Sequence, residues 1–174
     1  LVFSNTEFNA DRAPQYNEST YFSRQGNSID TLRLIISASK EDTASASELV
    51  TNALIPYADV WVVGDNTYGK PVGQVGIDFC DTKILRPTSF KTTNANGDGD
   101  YFDGLPVNCP AADILDIPVG DATDPNIIAA MSIAEFGTCP VLGGPQGNQA
   151  PVISPEIRYP EQRGNVAREM AGAY

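Results

Sequence analysis

The sequence contains no histidine. Imidazole is the usual base that takes the proton from a catalytic serine or cysteine. A Ser-His-Asp or Cys-His site built by this chain alone is therefore excluded. Cysteine is scarce, with only Cys80, Cys109 and Cys139. None stands in a Cys-x-x-Cys pair and no histidine completes a ligand set, so neither a metal site nor a cofactor is expected. Long apolar runs are also missing, and none approaches the roughly 18–20 residues of a membrane-spanning helix. Positive charge is short as well: 11 Lys and Arg stand against 22 Asp and Glu, a net charge of −11. A surface of that sign repels phosphate backbones and anionic headgroups, so no nucleic-acid partner is expected. No internal repeat is evident. There is no secretory leader either, although a chain that begins inside a domain would show none.

What is present describes a globular domain. With 174 residues, 41% of them hydrophobic and 19% charged, one domain with a sizeable core is expected. Leu32-Arg33-Leu34-Ile35-Ile36 and Val60-Trp61-Val62-Val63 are short apolar runs rich in β-branched residues and read as buried strands. Between them Leu49, Val50, Ala53 and Leu54 recur at helical spacing, Glu48 sits in the first turn and Pro56 forbids continuation, giving a helix of about three turns. Strand, helix, strand is a crossover unit with parallel strands. Ligands of such units sit beyond the carboxyl ends of the strands. Ser45 opens the helix just past the first strand, and Lys70 lies a few residues past the second, so their side chains can meet at one edge of the sheet.

Ser45 and Lys70 are 25 residues apart, and Gln74 follows the lysine by four. Without histidine, a nucleophilic serine needs another base. A lysine serves if burial beside apolar groups favours its neutral amine, a setting that Tyr68, Val72 and the Trp61 strand would supply. A serine at a helix start also offers its own backbone N–H and that of Ala46 to a developing oxyanion, while Gln74 can hold the amine toward Ser45. A bland reading stands beside this one: Ser45-x-x-Glu48 is equally a capping box, and Lys70 alone reads as a solvated lysine.

Thr43-Ala44-Ser45-Ala46-Ser47-Glu48, then Val62-Val63-Gly64-Asp65-x-Thr67-Tyr68-Gly69-Lys70 and Gln74, resembles the C-terminal processing peptidases, or tail-specific proteases. These are serine peptidases with a Ser/Lys dyad. The resemblance covers roughly Leu32 to Gly104. It implies an α/β fold, a small mixed sheet with a crossover helix like the ClpP/crotonase-like core of that family. It also implies Ser45 as nucleophile, Lys70 as general base, Gln74 as the residue positioning the lysine, and the Ala46 N–H as an oxyanion donor. A peptide or protein substrate follows, as does an extracytoplasmic place in the bacterial periplasm or cell envelope. The sequence departs from the family in two ways. Pro71 stands where many members have glycine, and the Arg-Gly-Asn-x-Gly-Gly-like segment that carries the other oxyanion donor is missing. The chain thus corresponds to the carboxyl-terminal part of a catalytic domain. Its partner would be the amino-terminal part of that domain or a second copy, and alone it is expected to hydrolyse weakly or not at all. A rival from another class is a non-catalytic peptide-binding or assembly domain with a peptidase fold.

The remaining segments carry weaker signals. Residues 1–30 read as an irregular lead-in with scattered aromatics, residues 31–139 as the peptidase part and residues 140–174 as an extended linker or tail with a frayed helix over Asn165 to Ala171. Asn17-Glu18-Ser19 fits a glycosylation acceptor. Ser37-Ala38-Ser39-Lys40 fits Ser-x-x-Lys, but its serine ends a strand instead of opening a helix. Val75 to Phe79 and Ile84 to Thr93 read as antiparallel strands joined through Cys80 to Lys83. Asn94 to Asp103 alternates oxygen-bearing residues around Gly99 as a calcium loop does, but Leu105 occupies the place of the bidentate glutamate, so a glycine-rich hairpin turn is the better reading. Asp113 to Asp121 is an acidic loop. Asp124-Pro125 opens a helix to about Phe136, with Ile127, Met131 and Ala134 on one face and Gly137 as its stop. A Cys109–Cys139 disulfide would suit an exported protein, with free thiols or pairing of Cys80 as alternatives.

Overall fold

The computed structural model describes residues 1–28, 33–80 and 82–140. In chain order the elements are β1 (Val2–Phe8), α1 (Ala13–Tyr16), β2 (Glu18–Tyr21), β3 (Arg33–Ala38), α2 (Ala46–Leu54), β4 (Asp59–Gly64), β5 (Val72–Gln74), β6 (Ile77–Phe79), β7 (Lys83–Leu85), β8 (Thr88–Thr93), β9 (Cys109–Pro110) and α3 (Pro125–Phe136). They form a four-stranded antiparallel sheet in the order β2-β1-β8-β5, a three-stranded parallel sheet in the order β3-β4-β9 and a separate β6-β7 hairpin. This is an α/β fold in which the expected crossover unit is present: β3 and β4 run parallel with Arg33 opposite Asp59 and Ala38 opposite Gly64, and α2 connects them.

The segment from Val2 to Tyr21 is not irregular. β1 lies inside the antiparallel sheet, paired with β2 on one side and β8 on the other. Its inward position Ser4 is buried, and the Asn5 amide donates to the Asn94 carbonyl at 3.2 Å, so hydrogen bonding rather than apolar alternation holds this strand. The span from Ile84 to Thr93 is two strands and not one, broken at Arg86-Pro87 because proline has no N–H to give a ladder. The tail expected over 140–174 lies, except for its first residue, outside the described residues.

Two helices cover the sheets. α2 packs against β1 and β8, and α3 against β3 and β4. Val63, Cys109, Ala129 and Ile133 form the buried apolar cluster between α3 and the parallel sheet, with Ile35 and Trp61 at its edge. α3 begins and ends as its sequence dictates, with the Asp124 carboxylate accepting from the Asn126 N–H and Gly137 closing it in the left-handed conformation. The face that α3 buries is a different one from that expected. Asn126, Ala129 and Ile133 point inward, whereas Met131 and Ala134 are exposed. An apolar residue every three or four positions on all sides of a helix leaves the choice of inner face to the partner surface.

Cys109 and Cys139 are joined, Cα to Cα 5.6 Å apart, and Cys80 is free and exposed. The bridge pins the end of α3 to β9, and closing its 30-residue loop is worth roughly 3–4 kcal/mol by chain entropy. Among the described residues no helix is long and apolar enough to cross a membrane.

Candidate active site

Ser45 lies where the chain turns from the end of β3 into α2. It is half-buried, with φ 49° and ψ −98°, and only Cys80 shares a positive φ among the described non-glycine residues. Such a backbone costs on the order of 1–3 kcal/mol and persists only where the surroundings impose it. A sharp, strained strand-to-helix turn is how α/β-hydrolases present a nucleophilic serine. The Glu48 half of the capping box is in place: the Ser45 N–H donates to Glu48 Oε2 at 2.9 Å.

The loop that carries the lysine folds back onto this turn. The Tyr68 N–H donates to the Thr43 carbonyl at 2.8 Å, and the Thr67 hydroxyl, the Gly69 N–H and the Lys70 N–H all donate to Glu48, at 2.5, 2.6 and 2.8 Å. Because the Ser45 and Lys70 nitrogens share one oxygen, Glu48 Oε2, they cannot be farther apart than those two hydrogen bonds laid end to end. Ser45 and Lys70 therefore occupy one place at the carboxyl ends of β3 and β4, where the Asp65 N–H also meets the Ala38 carbonyl. The hydroxyl and the amine are not hydrogen-bonded to each other, and the Lys70 amine has no hydrogen-bond or ion-pair partner among the described residues. Catalytic hydrogen bonds commonly tighten only once substrate is bound.

Behind the lysine, the 101–105 segment packs against the loop so closely that a Cβ on Gly69, at φ +99°, would fall 2.2 Å from the Phe102 carbonyl oxygen. The Thr67 N–H donates to the Leu105 carbonyl, and the Leu105 N–H donates to the Thr67 hydroxyl at 2.7 Å. Pro71 is fully buried, and its carbonyl accepts from both the N–H and the hydroxyl of Thr92. A residue without an N–H suits a position whose carbonyl makes the contacts. Gln74 closes the short edge strand β5 at a register shift between Gly73 and Gln74, and its Oε1 is buried with no partner among the described residues. Such an irregularity re-aims a side chain. Burial pushes the Tyr101 phenol above its ordinary range. The Thr92 hydroxyl opposes this, although it is turned toward the Pro71 carbonyl, and the Glu48 charge adds to the rise.

Three expectations are corrected by this geometry. The Ser45 N–H is not free for an oxyanion because Glu48 takes it, which leaves the Ala46 N–H on the exposed first residue of α2. Tyr68 is 52% exposed and supplies no buried apolar setting, and Trp61 packs beside the Val63 cluster. Of Leu49, Val50, Ala53 and Leu54 only Ala53 is fully buried in α2; beside it the buried positions are Glu48, Thr51 and Asn52, each satisfied by hydrogen bonds. The residues that join the two segments and that the sequence does not announce are Glu48, beyond its cap, and Thr67. The signal is a carboxylate at the third helical position followed, 19 and 22 residues on, by the hydroxyl and N–H it binds.

The rival motifs fall away from this site. Ser37 sits within β3 with Lys40 exposed in the turn beyond it. At Asn94 the side-chain oxygen accepts from the Asn96 and Asp98 N–H groups at 2.9 and 3.0 Å, and its amide donates to Asn52, so the calcium-like segment is a turn closed by asparagine. Among the described residues no group of three or more His, Cys, Asp or Glu is placed to hold a metal.

A family model described as Peptidase family S41 matches residues 3–105. Among solved structures, a protein of Bacteroides fragilis NCTC 9343 assigned as an S41 protease superposes with TM-score 0.69 at 21% identity, over 79% of this chain and 37% of its own length. A photosystem II D1 C-terminal processing protease aligns with TM-score 0.46 at 23% identity, over 64% of this chain and 27% of its own. No curated protein matches. The chain thus spans well under half the length of either structure.

Proposed function

The chain belongs to peptidase family S41, and from that premise we propose that it is the dyad-bearing part of a serine endopeptidase of the tail-specific type, acting by acyl transfer. Lys70 as a neutral amine takes the Ser45 proton, the Ser45 oxygen attacks a peptide carbonyl, the Ala46 N–H helps to hold the oxyanion, and water releases the acyl-enzyme. Gln74, with its unpartnered Oε1, is the residue that would receive and aim the Lys70 amine. The observation that carries this reading is the single carboxylate oxygen to which the backbones of Ser45 and Lys70 are both bonded. The substrate would be a peptide or protein chain. The partner would be the amino-terminal part of the same domain or a second copy, supplying the oxyanion donor that this chain lacks. The Cys109–Cys139 disulfide favours an extracytoplasmic place, in the periplasm or cell envelope.

One missing oxyanion donor typically costs about 3–4 kcal/mol of transition-state stabilisation, so the isolated chain should turn over peptides slowly or not at all. The test is therefore covalent labelling. A fluorophosphonate should modify Ser45, identified by peptide mapping, and labelling should be lost in Ser45→Ala and reduced at least a hundredfold in Lys70→Met. Equal labelling of wild type and Lys70→Met would reject the dyad.

A second reading, a non-catalytic peptide-binding domain, is favoured by the Lys70 amine that bonds to none of the described residues and by the Ser45 N–H being taken up by Glu48. An unstructured peptide bound equally by wild type and Lys70→Met, without labelling of Ser45 in either, would establish it.

A further inference from the structure

Glu48 is the one acidic side chain among the described residues that is fully buried. Its four donors are divided between its two oxygens. Oε1 takes the Thr67 hydroxyl and the Gly69 N–H, which shape the loop, while Oε2 takes the N–H of Ser45 and that of Lys70. No hydrogen bond joins the Ser45 and Lys70 side chains, so the distance between these two segments is set elsewhere. The structure assigns Glu48 the part of a positioning residue: its carboxylate fixes Lys70 against Ser45 and holds the serine in its positive-φ conformation. This rests on the roles proposed above for Ser45 and Lys70.

The chemistry of the side chain makes the assignment specific. Only an ionised carboxylate accepts from four donors without offering one of its own. A glutamine of the same size would turn an NH₂ group toward two of those donors. A helix cap alone needs a single bond, from the Ser45 N–H to Glu48. The three bonds from Thr67, Gly69 and Lys70 have no part in capping α2. The clasp also removes the Ser45 N–H from the oxyanion site, so the Ala46 N–H is the donor this turn has left to give.

The experiment uses the whole chain and compares wild type with Glu48→Gln, Thr67→Val and Thr67→Ser. The first readout is amide hydrogen exchange at Ser45, Gly69 and Lys70. The second is the rate of Ser45 modification by a fluorophosphonate, in which a serine Oγ–phosphorus bond forms, the P–F bond breaks, the serine proton passes to Lys70 and fluoride leaves. In Glu48→Gln all three amides should exchange at least tenfold faster while those of the β3-β4 ladder are unchanged. The modification rate at saturating probe should fall at least tenfold with the half-saturating concentration unmoved. Thr67→Val should shift both readouts the same way by less, and Thr67→Ser should restore them. Faster exchange confined to Ser45, or an unchanged modification rate in Glu48→Gln, would reduce Glu48 to a cap and overturn the assignment. Should wild type not react at Ser45 at all, the dyad reading fails, and the exchange at Gly69 and Lys70 still decides the clasp. Should Glu48→Gln not fold, Thr67→Val, which removes one donor of the four, decides between clasp and cap by the same two readouts.

Discussion

The two long helices bury their residues for opposite ends. Glu48 in α2 and Ile133 in α3 are each 0% exposed. Around Ile133 the neighbours are Val63, Cys109 and Ala129, an apolar cluster that needs only to exclude water. Around Glu48 they are hydroxyl and N–H donors, and the next buried positions of α2, Thr51 and Asn52, are likewise bonded to the Ser47 and Asp98 carbonyls. A buried polar group without a partner costs about 1–3 kcal/mol, so such a face is stable where its donors and acceptors are matched. The helix that carries the candidate serine is therefore held chiefly by directional contacts, which fix position, and the other chiefly by packing around Ile133.

That contrast can be broken from its apolar side first. Ile133→Ala should destabilise the chain by about 2–5 kcal/mol, the cost of a cavity in a packed cluster, and urea unfolding would register it as a lower midpoint with an unchanged slope. Met131→Ala, on the outer face of the same helix at 61% exposure, should move stability by no more than about 0.5 kcal/mol. Equal losses from the two would mean that α3 is not held through its inner stripe. From the polar side, Asn94→Ala removes the amide that donates to Asn52 and the oxygen that closes the turn on the Asn96 and Asp98 N–H groups. About 1–3 kcal/mol should be lost. Ser45 labelling should also fall, because the loosened turn lies against α2. A neutral Asn94→Ala would show that water replaces these bonds without loss.

The same division explains what can be read from the sequence. β3, α2 and β4 are legible because Leu34-Ile35-Ile36 and Val60-Trp61-Val62-Val63 announce buried parallel strands and Pro56 ends the helix between them. α3 is legible at both ends, where Asp124-Pro125 and Gly137 act locally. β1 is not, because the one buried residue between Val2 and Phe8 is Ser4, and the groups that receive the Asn5 amide, on Thr93 and Asn94, lie more than eighty residues away. The placing of Ser45 beside Lys70 follows from the crossover unit. The agent of that placing does not, since Glu48 looks like a complete cap until the loop from Thr67 to Lys70 is folded against it. Apolar periodicity reports packing, and bonds across twenty residues leave no periodic trace.

The smallest expected effect lies where the two kinds of contact meet. Arg33 Nε bonds to Asp59 Oδ2 at 2.7 Å across the first rung of the parallel sheet, and its Nη1 donates to the Ile133 carbonyl at 2.9 Å, tying the end of α3 to β3 and β4. The Arg33 hydrogen bond holds the Asp59 carboxyl below its ordinary value of 3.8, and the nearby Trp61 indole acts in the same direction although its N–H stops short of a hydrogen bond. With the folded value depressed, the stability this carboxylate contributes is present above pH 3.8 and is lost as pH falls through the folded value. Both partners are partly open to solvent, so the contribution is small and sensitive to salt. The melting temperatures of wild type and Asp59→Asn should therefore differ slightly at neutral pH in low salt, converge as pH falls through the folded value and converge again at neutral pH in about 1 M salt. A gap that persists unchanged through acid would place the effect of the substitution in packing rather than in charge, and would put the junction of α3 and the sheet wholly on the apolar side of the comparison.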